Sequence, residues 1–319
     1  MVLFLFRRRF LPCYHRMDFV FLLKVFCIYT IMILIWTSNA VILIVIRKTP
    51  SLDNVTGMLM TALAITDLVL GSHIFTAAVS VFTDSWVFGN LLCKIAYSMQ
   101  FACLMSTLYI IMLLAIDKYV SIVHPLRYEQ IQTKCRVTMC LSFVLSICLC
   151  LATTYSILDG KYFYYNPSVK LCAAHYPSLS VYLPYFISVI SVCLMPTTIA
   201  NMYCYWKILM AIRNQVNILS SRSSDPQVPS NMDNAKGIKM IVFILGVQIV
   251  CWLPSSILHC TALFDHTIFH SSWNFVVSYL LYCNSFMNWV VYTITYVPFR
   301  KGQALLFHKV KQNVCGRFK

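Results

Sequence analysis

Long runs of hydrophobic residues alternate along this chain with short segments that hold most of its charged residues. Seven runs reach the roughly 20 mostly apolar residues that a helix needs to cross about 30 Å of hydrocarbon. They cover approximately residues 20–46, 56–82, 90–123, 135–158, 181–212, 236–264 and 272–297. None alternates apolar and polar residues as a strand of a membrane barrel does. The pattern predicts an all-α fold in which residues 20–297 form a seven-transmembrane helix bundle.

Two short segments flank the predicted bundle. Residues 1–19 form an N-terminal segment, and residues 298–319 form a C-terminal one. From Pro298 onward, apolar and basic residues alternate in a pattern typical of a short amphipathic helix on a membrane surface, followed by a short cytoplasmic tail. Cys315 is a candidate for lipidation there, and an unmodified thiol is an equal alternative.

The composition excludes a soluble domain. Hydrophobic residues make up 60% of the chain and charged residues 11%, against about 25% charged in an ordinary soluble domain. The net charge of +15 could indicate a nucleic-acid partner, but basic residues placed between long apolar runs are typical of loops that face an anionic membrane leaflet. We therefore expect membrane lipids, and no nucleic acid, around this chain.

The distribution of basic residues predicts the orientation. Lysine and arginine concentrate after the first, third and fifth spans and in the C-terminal tail, as expected of cytoplasmic segments. This indicates a multi-pass plasma-membrane protein with an extracellular N-terminus. Arg7, Arg8, Arg9 and Arg16 oppose this orientation. Met17 as the true start would remove the conflict, and we take it as a hypothesis.

Most cysteines lie within the apolar runs, where a cysteine is usually a small buried hydrophobe. Cys93 and Cys172 differ, because they lie near the outer end of the third span and in the outer loop before the fifth. Disulfides persist in that compartment. Their pairing would hold this loop over the mouth of the bundle.

Polar side chains inside the spans are costly in lipid, so they are candidates for a functional site. Asp67 lies midway along the second span with no lysine or arginine near it in the sequence. Comparable depths in the first, third and seventh spans hold Asn39, Thr107, Asn284, Ser285 and Asn288.

Short motifs on successive spans show that the chain resembles the rhodopsin-like (class A) G-protein-coupled receptors, of an orphan type. The motifs are Asn39; Leu63 to Asp67; Trp86-Val87-Phe88-Gly89; Cys93 with Cys172; Asp117-Lys118-Tyr119 followed by Pro125-Leu126; Pro196; Cys251-Trp252-Leu253-Pro254; and Asn288 to Tyr292. The second and third spans look most like receptors for biogenic amines and their orphan relatives.

The resemblance implies a receptor that binds a ligand from outside, moves its sixth helix and activates a heterotrimeric G protein. It implies that the activation switch consists of Asp117, Lys118, Tyr119, Pro196, Trp252, Pro254, Asn288 and Tyr292. It also implies a sodium site made of Asn39, Asp67, Thr107, Asn284, Ser285 and Asn288, whose hard oxygen ligands suit a small cation. A neutral, hydrogen-bonded Asp67 is the alternative. We expect no other cofactor or metal.

Two departures from the family pattern affect signalling. Lys118 stands where the family has arginine and lacks the planar guanidinium that bonds bidentately. Trp289 replaces the proline of the seventh helix, which restores a backbone donor and should straighten that helix. We expect shifted basal activity. The main alternative is a ligand-independent or signalling-impaired receptor-like protein, acting as a partner of another receptor.

The ligand class follows from the third span. Amine receptors place an aspartate at the position of Gln100, so a classical amine ligand is disfavoured. The remaining candidate pocket is apolar with scattered hydrogen-bonding groups, which suits a neutral small molecule or a lipid. Its candidate residues are Met99, Gln100, Cys103, Leu104, Ser188, Trp252, Ser255, Ser256, His259, Ser278 and Tyr282.

Other classes of protein fit less well. A transporter is a remote alternative, since the chain shows no internal repeat and one acid at mid-span. It carries no motif of an intramembrane enzyme, and we expect no enzymatic activity. Residues 298–319 contain no serine or threonine, so binding of arrestin would depend on the cluster from Ser220 to Ser224. The one allowed N-glycosylation triplet starts at Asn54, in the predicted first inner loop.

Overall fold

The computed structural model describes residues 19–158, 163–174, 178–222 and 231–316. Its long helices are α1 (Phe19–Lys48), α2 (Val55–Thr83), α3 (Gly89–Val123), α4 (Lys134–Leu158), α5, α6 (Asn231–Thr261), α7 (Ser272–Thr295) and α8 (Val297–Gly316). Helix α5 consists of Leu179–Ser188, a π-helical segment Val189–Leu194 and Met195–Arg222. Single turns at Pro50–Leu52, Pro125–Arg127, Tyr128–Ile131 and His266–His270 lie in the connections.

The predicted all-α bundle is confirmed, with α8 following the last span as expected. Six helices in the described part of the chain are long and apolar enough to cross a membrane. Helix α7 is less apolar because it carries Asn274, Asn284, Ser285 and Asn288, all of which are buried. Its lipid-facing side remains hydrophobic, with Val276 and Ile294 exposed. The seventh span therefore turns its polar side chains toward the other helices.

Helices α2 and α3 form the centre of the bundle. Buried residues make up 56% of the apolar part of α2 and 61% of that of α3, against 11% for α5. A hydrophobic cluster around Leu59, Leu63, Ile110, Tyr292 and Phe299 fills one end of the bundle. A second cluster, which includes Ile35, Ile74 and Tyr279, fills the other end.

A close backbone contact docks α8 on the bundle. A side chain at Gly302 would place its Cβ 2.2 Å from Oγ1 of Thr49, in the turn that follows α1. Phe299, one turn earlier, is fully buried against Tyr292, with ring centroids 5.9 Å apart. Leu305 and Phe307 are exposed on the other side. Helix α8 is therefore amphipathic, as predicted, and Cys315 lies in its last turn.

Helix α5 is irregular because of a proline. Pro196 has no backbone N–H, so the carbonyl of Val192 loses the donor that a regular helix would supply. The hydroxyl of Tyr109 on α3 donates to this carbonyl instead. The π-helical segment ends just before Pro196, at Leu194. Helix α5 also runs past the predicted end at residue 212 to Arg222, so Ser220 and Ser221 are helical rather than in a loop.

A small hairpin that the sequence analysis did not predict covers one end of the bundle, which we call the outer end. Strand β1 (Phe163–Asn166) pairs antiparallel with β2 (Leu171–Ala174), with Tyr165 opposite Cys172. The predicted disulfide between Cys93 and Cys172 is present, with their Cα atoms 5.5 Å apart. It joins the hairpin to the first turn of α3. Lys170 of the hairpin also pairs with Asp84 at the end of α2.

Some predictions lie outside the described residues. These are the ones that concern Met17 and the N-terminal segment up to residue 18, as well as Ser223 and Ser224.

Candidate functional site

A cavity of about 400 Å³ opens beneath the hairpin at the outer end, between α3, α5, α6 and α7. Predicted pocket residues from three helices line it: Gln100, Leu104, Trp252, Ser255, Ser256, His259 and Ser278. Their positions on α3, α6 and α7 repeat about every turn, so one face of each helix meets the cavity. The structure therefore brings these predicted residues together at one site.

Four predicted pocket residues do not line this cavity. Met99 lies next to Gln100 on α3 and is 38% exposed, because one residue along a helix turns the side chain by about 100°. Cys103 is buried in the cluster between α1, α2 and α7. The hydroxyl of Ser188 donates to the Tyr185 carbonyl at 2.7 Å. The hydroxyl of Tyr282 lies 3.0 Å from Nδ1 of His73.

The sequence analysis did not predict most of the aromatic residues that line the cavity, or the hairpin residues that cover it. Tyr97, Phe101, Tyr185, Phe186 and Phe269 line the cavity, as do Tyr164 and Asn166 of the hairpin. Spacing from predicted pocket positions could have identified Asn274, which lies one turn before Ser278, and Tyr97, which lies one turn before Gln100. Nothing in the sequence located the hairpin residues, because their position depends on strand pairing across a disulfide.

The cavity lining is almost uncharged. Among the described residues that line it, none is an aspartate, glutamate, lysine or arginine. Its polar side-chain groups are amides, hydroxyls, the imidazole of His259, the indole of Trp252 and the thiol of Cys260. Several of the hydroxyls and amides already donate within the protein: Ser256 to the Trp252 carbonyl at 3.1 Å, Ser278 to Oδ1 of Asn274 at 3.2 Å, and Asn274 to the Phe269 carbonyl at 2.6 Å. The lining suits a neutral ligand better than an ionic one.

Most of the predicted polar residues at mid-span meet around Asp67. The Asp67 carboxylate is fully buried and accepts a hydrogen bond from Ser285 at 2.7 Å and another from Asn288 at 3.0 Å. Asn39 donates to the Ile35 carbonyl at 2.9 Å and to the Ser285 carbonyl at 3.3 Å. No described lysine or arginine pairs with Asp67. The acid is therefore held by neutral donors.

The cluster also contains further oxygen atoms. Oδ1 of Asn39 is buried and has no hydrogen-bond partner among the described residues. Thr107 donates its hydroxyl to the Cys103 carbonyl at 3.1 Å, and Asn284 is buried on α7. No group of three or more His, Cys, Asp or Glu side chains suited to a metal occurs within the described chain. The hard oxygens around a single carboxylate fit a small monovalent cation better than a transition metal.

A second buried acid, Asp117, lies at the inner end of α3. Its Oδ2 accepts from the Thr56 hydroxyl at 2.6 Å and lies 3.1 Å from Nζ of Lys118. Its Oδ1 accepts from the Tyr128 hydroxyl at 2.7 Å. Burial and the negative charge of Asp117 raise the pKa of Tyr128 above its ordinary value. Tyr128 therefore stays protonated at neutral pH and keeps donating to the acid.

Lys118 points toward α2 and the end of α7. Its Nζ donates to Oγ1 of Thr56 at 2.6 Å and lies 5.4 Å from the ring centroid of Tyr296. Tyr119, the next residue, instead contacts His124 and the ring of Tyr203. The Asp117-Lys118-Tyr119 motif thus divides its contacts between α2, α5 and the segment after α7.

Apart from Pro196 on α5, the other predicted switch residues occupy α6 and α7. Pro254 lies inside α6, so the Val250 carbonyl lacks its helical donor. Trp252 lines the cavity, and its Nε1 has no partner among the described residues, nor does Oε1 of Gln248 one turn earlier. Helix α7 runs without a break through Trp289, where the backbone N–H is restored. Tyr292 is fully buried on α7.

Comparison with known proteins agrees with this arrangement. The model of the 7 transmembrane receptor (rhodopsin family) matches residues 38–292. This range includes α2 to α6, most of α7, the disulfide, the cavity and both buried acids.

Several characterised receptors are similar to most of this chain. Trace amine-associated receptor 1 of Homo sapiens is 26% identical, over 92% of this chain and 91% of its own length. Melatonin receptor type 1C of Xenopus laevis is 27% identical, over 88% of this chain and 66% of its own. The high-affinity lysophosphatidic acid receptor of Xenopus laevis is 24% identical, over 88% of this chain and 81% of its own.

Proposed function

Because the chain belongs to the rhodopsin family of seven-transmembrane receptors, we propose that it couples ligand binding in the outer cavity to activation of a heterotrimeric G protein. In this proposal the protein lies in the plasma membrane with its N-terminus outside, and its ligand is a neutral small molecule or a lipid. The family consists of receptors rather than enzymes, so the site has to act by binding and not by catalysis.

The uncharged lining of the cavity carries the ligand proposal. The relatives are named for trace amines, melatonin and lysophosphatidic acid, which differ in charge. An ammonium group in this cavity would meet Gln100 and no carboxylate, and a phosphate would meet no lysine or arginine among the described lining residues. A buried ion without a counter-charge is costly. The lining therefore supports a neutral ligand over either ionic class.

Helix α6 supplies a route from the cavity to the inner end. Trp252 forms part of the cavity lining, and Gln248 lies one turn farther toward the inner end. Each leaves a buried polar atom unpaired in this packing, which costs about 1–3 kcal/mol per group. A ligand that moves Trp252 and allows these atoms to pair would favour a second packing of α6. Differential affinity for two packings is what a signalling receptor requires.

Nucleotide exchange tests the proposal. The full chain in lipid nanodiscs, without ligand, is assayed for GTP exchange on each class of G-protein α-subunit. We expect measurable exchange on at least one class and a change of about threefold or more in Lys118→Arg, because arginine bonds differently to Asp117 and Thr56. Lys207→Arg is the control, since Lys207 lies over the rings of Tyr203 and Trp206.

Silence of both the parent chain and Lys118→Arg on every class, for protein that unfolds cooperatively on heating in the nanodiscs, would contradict coupling. A silent parent with an active Lys118→Arg variant would instead support the second candidate, a signalling-impaired partner of another receptor. The observation that favours this candidate is the position of Lys118, which is engaged by Thr56, Asp117 and Tyr296.

We also propose that the Asp67 cluster binds sodium. Asp67 supplies a carboxylate without a basic partner among the described residues, and Asn39 supplies a buried oxygen without a hydrogen-bond partner. Ser285 and Asn288 contact Asp67 as neutral donors, and we expect Thr107 and Asn284 to contribute further neutral groups. A bound cation would balance the buried negative charge and hold α1, α2 and α7 together. Binding of membrane lipids, arrestin or another receptor stays a prediction.

A further inference from the structure

Tyr182 on α5 determines which ring nitrogen of His259, on α6, carries the proton. Tyr182 is fully buried, and its hydroxyl lies 3.0 Å from the carbonyl oxygen of His259 and 2.9 Å from Nδ1 of the same residue. A carbonyl oxygen accepts hydrogen bonds and cannot donate them. The single proton of the Tyr182 hydroxyl therefore goes to the carbonyl.

The carbonyl of His259 needs this donor because it lies in the last turn of α6. Carbonyls in the last turn of a helix lack helical partners. The amide of Leu263, which would be the regular donor to His259, donates to the Cys260 carbonyl at 3.2 Å. The Tyr182 hydroxyl therefore caps α6 by donating to the His259 carbonyl. This bond fixes the direction of the hydroxyl proton independently of the imidazole.

With its proton committed to the carbonyl, the Tyr182 oxygen accepts from Nδ1. Nδ1 must therefore carry a proton, and in a neutral imidazole Nε2 is then an acceptor. Described residues lining the cavity include no carboxylate that could balance an imidazolium. His259 lines the cavity, and no described residue bonds to its Nε2. Nε2 is the ring nitrogen left for a ligand.

We propose that the ligand donates a hydrogen bond to Nε2 of His259 from a neutral N–H or O–H group on a planar apolar body. This inference rests on the proposed receptor function and names the chemistry of its ligand. The planar body follows from the aromatic wall around His259, where Phe269 lies 5.5 Å and Tyr182 6.4 Å from the imidazole, measured between ring centroids. The committed hydroxyls of Ser256 and Ser278 also leave acceptors for a ligand that donates.

The tautomer is tested first, without any ligand. The full chain is prepared in nanodiscs with isotopically labelled histidine, and nitrogen NMR identifies the His259 signals by their loss in His259→Phe. We expect Nε2 to be unprotonated. Tyr182→Phe should allow the proton to move to Nε2, whereas Tyr29→Phe, which removes a hydroxyl that lies outside the cavity and donates to the Ala78 carbonyl, should leave it unchanged. A protonated Nε2 in the parent chain would overturn the proposal, whether or not Tyr182→Phe folds.

Indole and 1-methylindole then serve as matched probes. Both are planar and neutral, but only indole donates a hydrogen bond, and 1-methylindole is the more hydrophobic of the two. We expect indole to bind about tenfold more tightly, since about 1.4 kcal/mol corresponds to a factor of ten and one hydrogen bond contributes about that much. Binding is measured by the shift of the His259 Nε2 signal and by thermal unfolding. The preference should disappear in His259→Phe and persist in Tyr29→Phe, because Tyr29 does not line the cavity.

Equal effects of the two probes, including no effect of either at millimolar concentration, would overturn the proposal. The G protein takes no part in these measurements. A failure of the indole preference therefore leaves the receptor function standing, and a failure of nucleotide exchange leaves the binding result standing.

Discussion

Asp67 and Asp117 are both fully buried, yet their surroundings differ in charge. Asp67 in α2 accepts from Ser285 and Asn288, which are neutral. Asp117 in α3 accepts from Thr56 and Tyr128 and also has Lys118 at 3.1 Å. One carboxylate is balanced by a cation that is part of the chain, and the other is not.

Asp117 therefore belongs to a structural ion pair, whereas Asp67 is a candidate site for a bound cation. A buried charge needs a partner, because its desolvation is costly. Lys118 supplies that partner to Asp117 permanently, so the inner acid holds α2, α3 and the Tyr128 turn together. Asp67 lacks one among the described residues, so a mobile cation can balance it. The two acids should therefore respond differently to mutation and to salt.

Removing the inner acid should have the largest effect. In Asp117→Ala, Lys118 loses its counter-charge while its side chain remains 12% exposed, and breaking such a pair costs about 3–5 kcal/mol. Thermal unfolding in nanodiscs measures the loss. Asp53→Ala is the control, because Asp53 pairs with Lys134 at the surface, where a pair contributes about 0–1 kcal/mol. Equal effects of the two substitutions would contradict the structural role of Asp117.

A smaller loss is expected from Tyr128→Phe. The hydroxyl of Tyr128 donates to a charged oxygen of Asp117, and a hydrogen bond to a charged group contributes about 1.5–3 kcal/mol. Tyr29→Phe serves for comparison, since Tyr29 donates to the neutral carbonyl of Ala78 at 3.1 Å; there the loss should be about 0.5–1.5 kcal/mol. The measurement is the free energy of unfolding, and a larger loss in Tyr29→Phe would contradict the charge argument.

Sodium should stabilise the chain through Asp67 alone. At a sodium concentration tenfold above its dissociation constant, the expected gain is about 1.4 kcal/mol. The unfolding midpoint is compared in sodium chloride and choline chloride at equal ionic strength. The difference should vanish in Asp67→Asn and remain in Tyr128→Phe, which disturbs the other acid. A difference that survives in Asp67→Asn would place the ion elsewhere.

The smallest effect is expected at Tyr296. Its ring lies 5.4 Å from Nζ of Lys118, and a cation–π contact contributes about 0.5–1 kcal/mol at a partly exposed site. Tyr296→Leu should lose this amount in thermal unfolding, whereas Tyr296→Phe, which keeps the ring, should not. Equal losses in both variants would assign the contribution of Tyr296 to its hydroxyl.

The bounds of a helix could be predicted from the sequence where that helix coincides with a lipid-spanning apolar run. The apolar runs predicted the starts of α2 and α3 to within a residue, because unpaired backbone groups force apolar membrane segments into helices. The end of α5 was not predictable from hydropathy. Residues 213–222 are mostly polar, and they continue the helix to Arg222 beyond the apolar run.

The cavity was predictable only in part. The resemblance to the receptor family led to Gln100, Leu104, Trp252, Ser255, Ser256 and His259, all of which line the cavity. The predictions that Met99 and Ser188 line the cavity were wrong, because the rotation of each helix about its own axis depends on the helices packed against it. The hydroxyl of Tyr282 contacts His73 instead of lining the cavity. This contact between α2 and α7 cannot be predicted from a local sequence pattern.

The sequence by itself determined the number of spans, the disulfide, and the presence of an acid without a nearby basic residue in α2. These depend on hydrophobic length and on residue type, which are local properties. Only the tertiary structure decided that Lys118 bonds to Thr56, that Tyr182 orients the imidazole of His259, and that the hairpin covers the cavity. Such contacts join residues far apart in the chain, and their geometry depends on how whole helices pack.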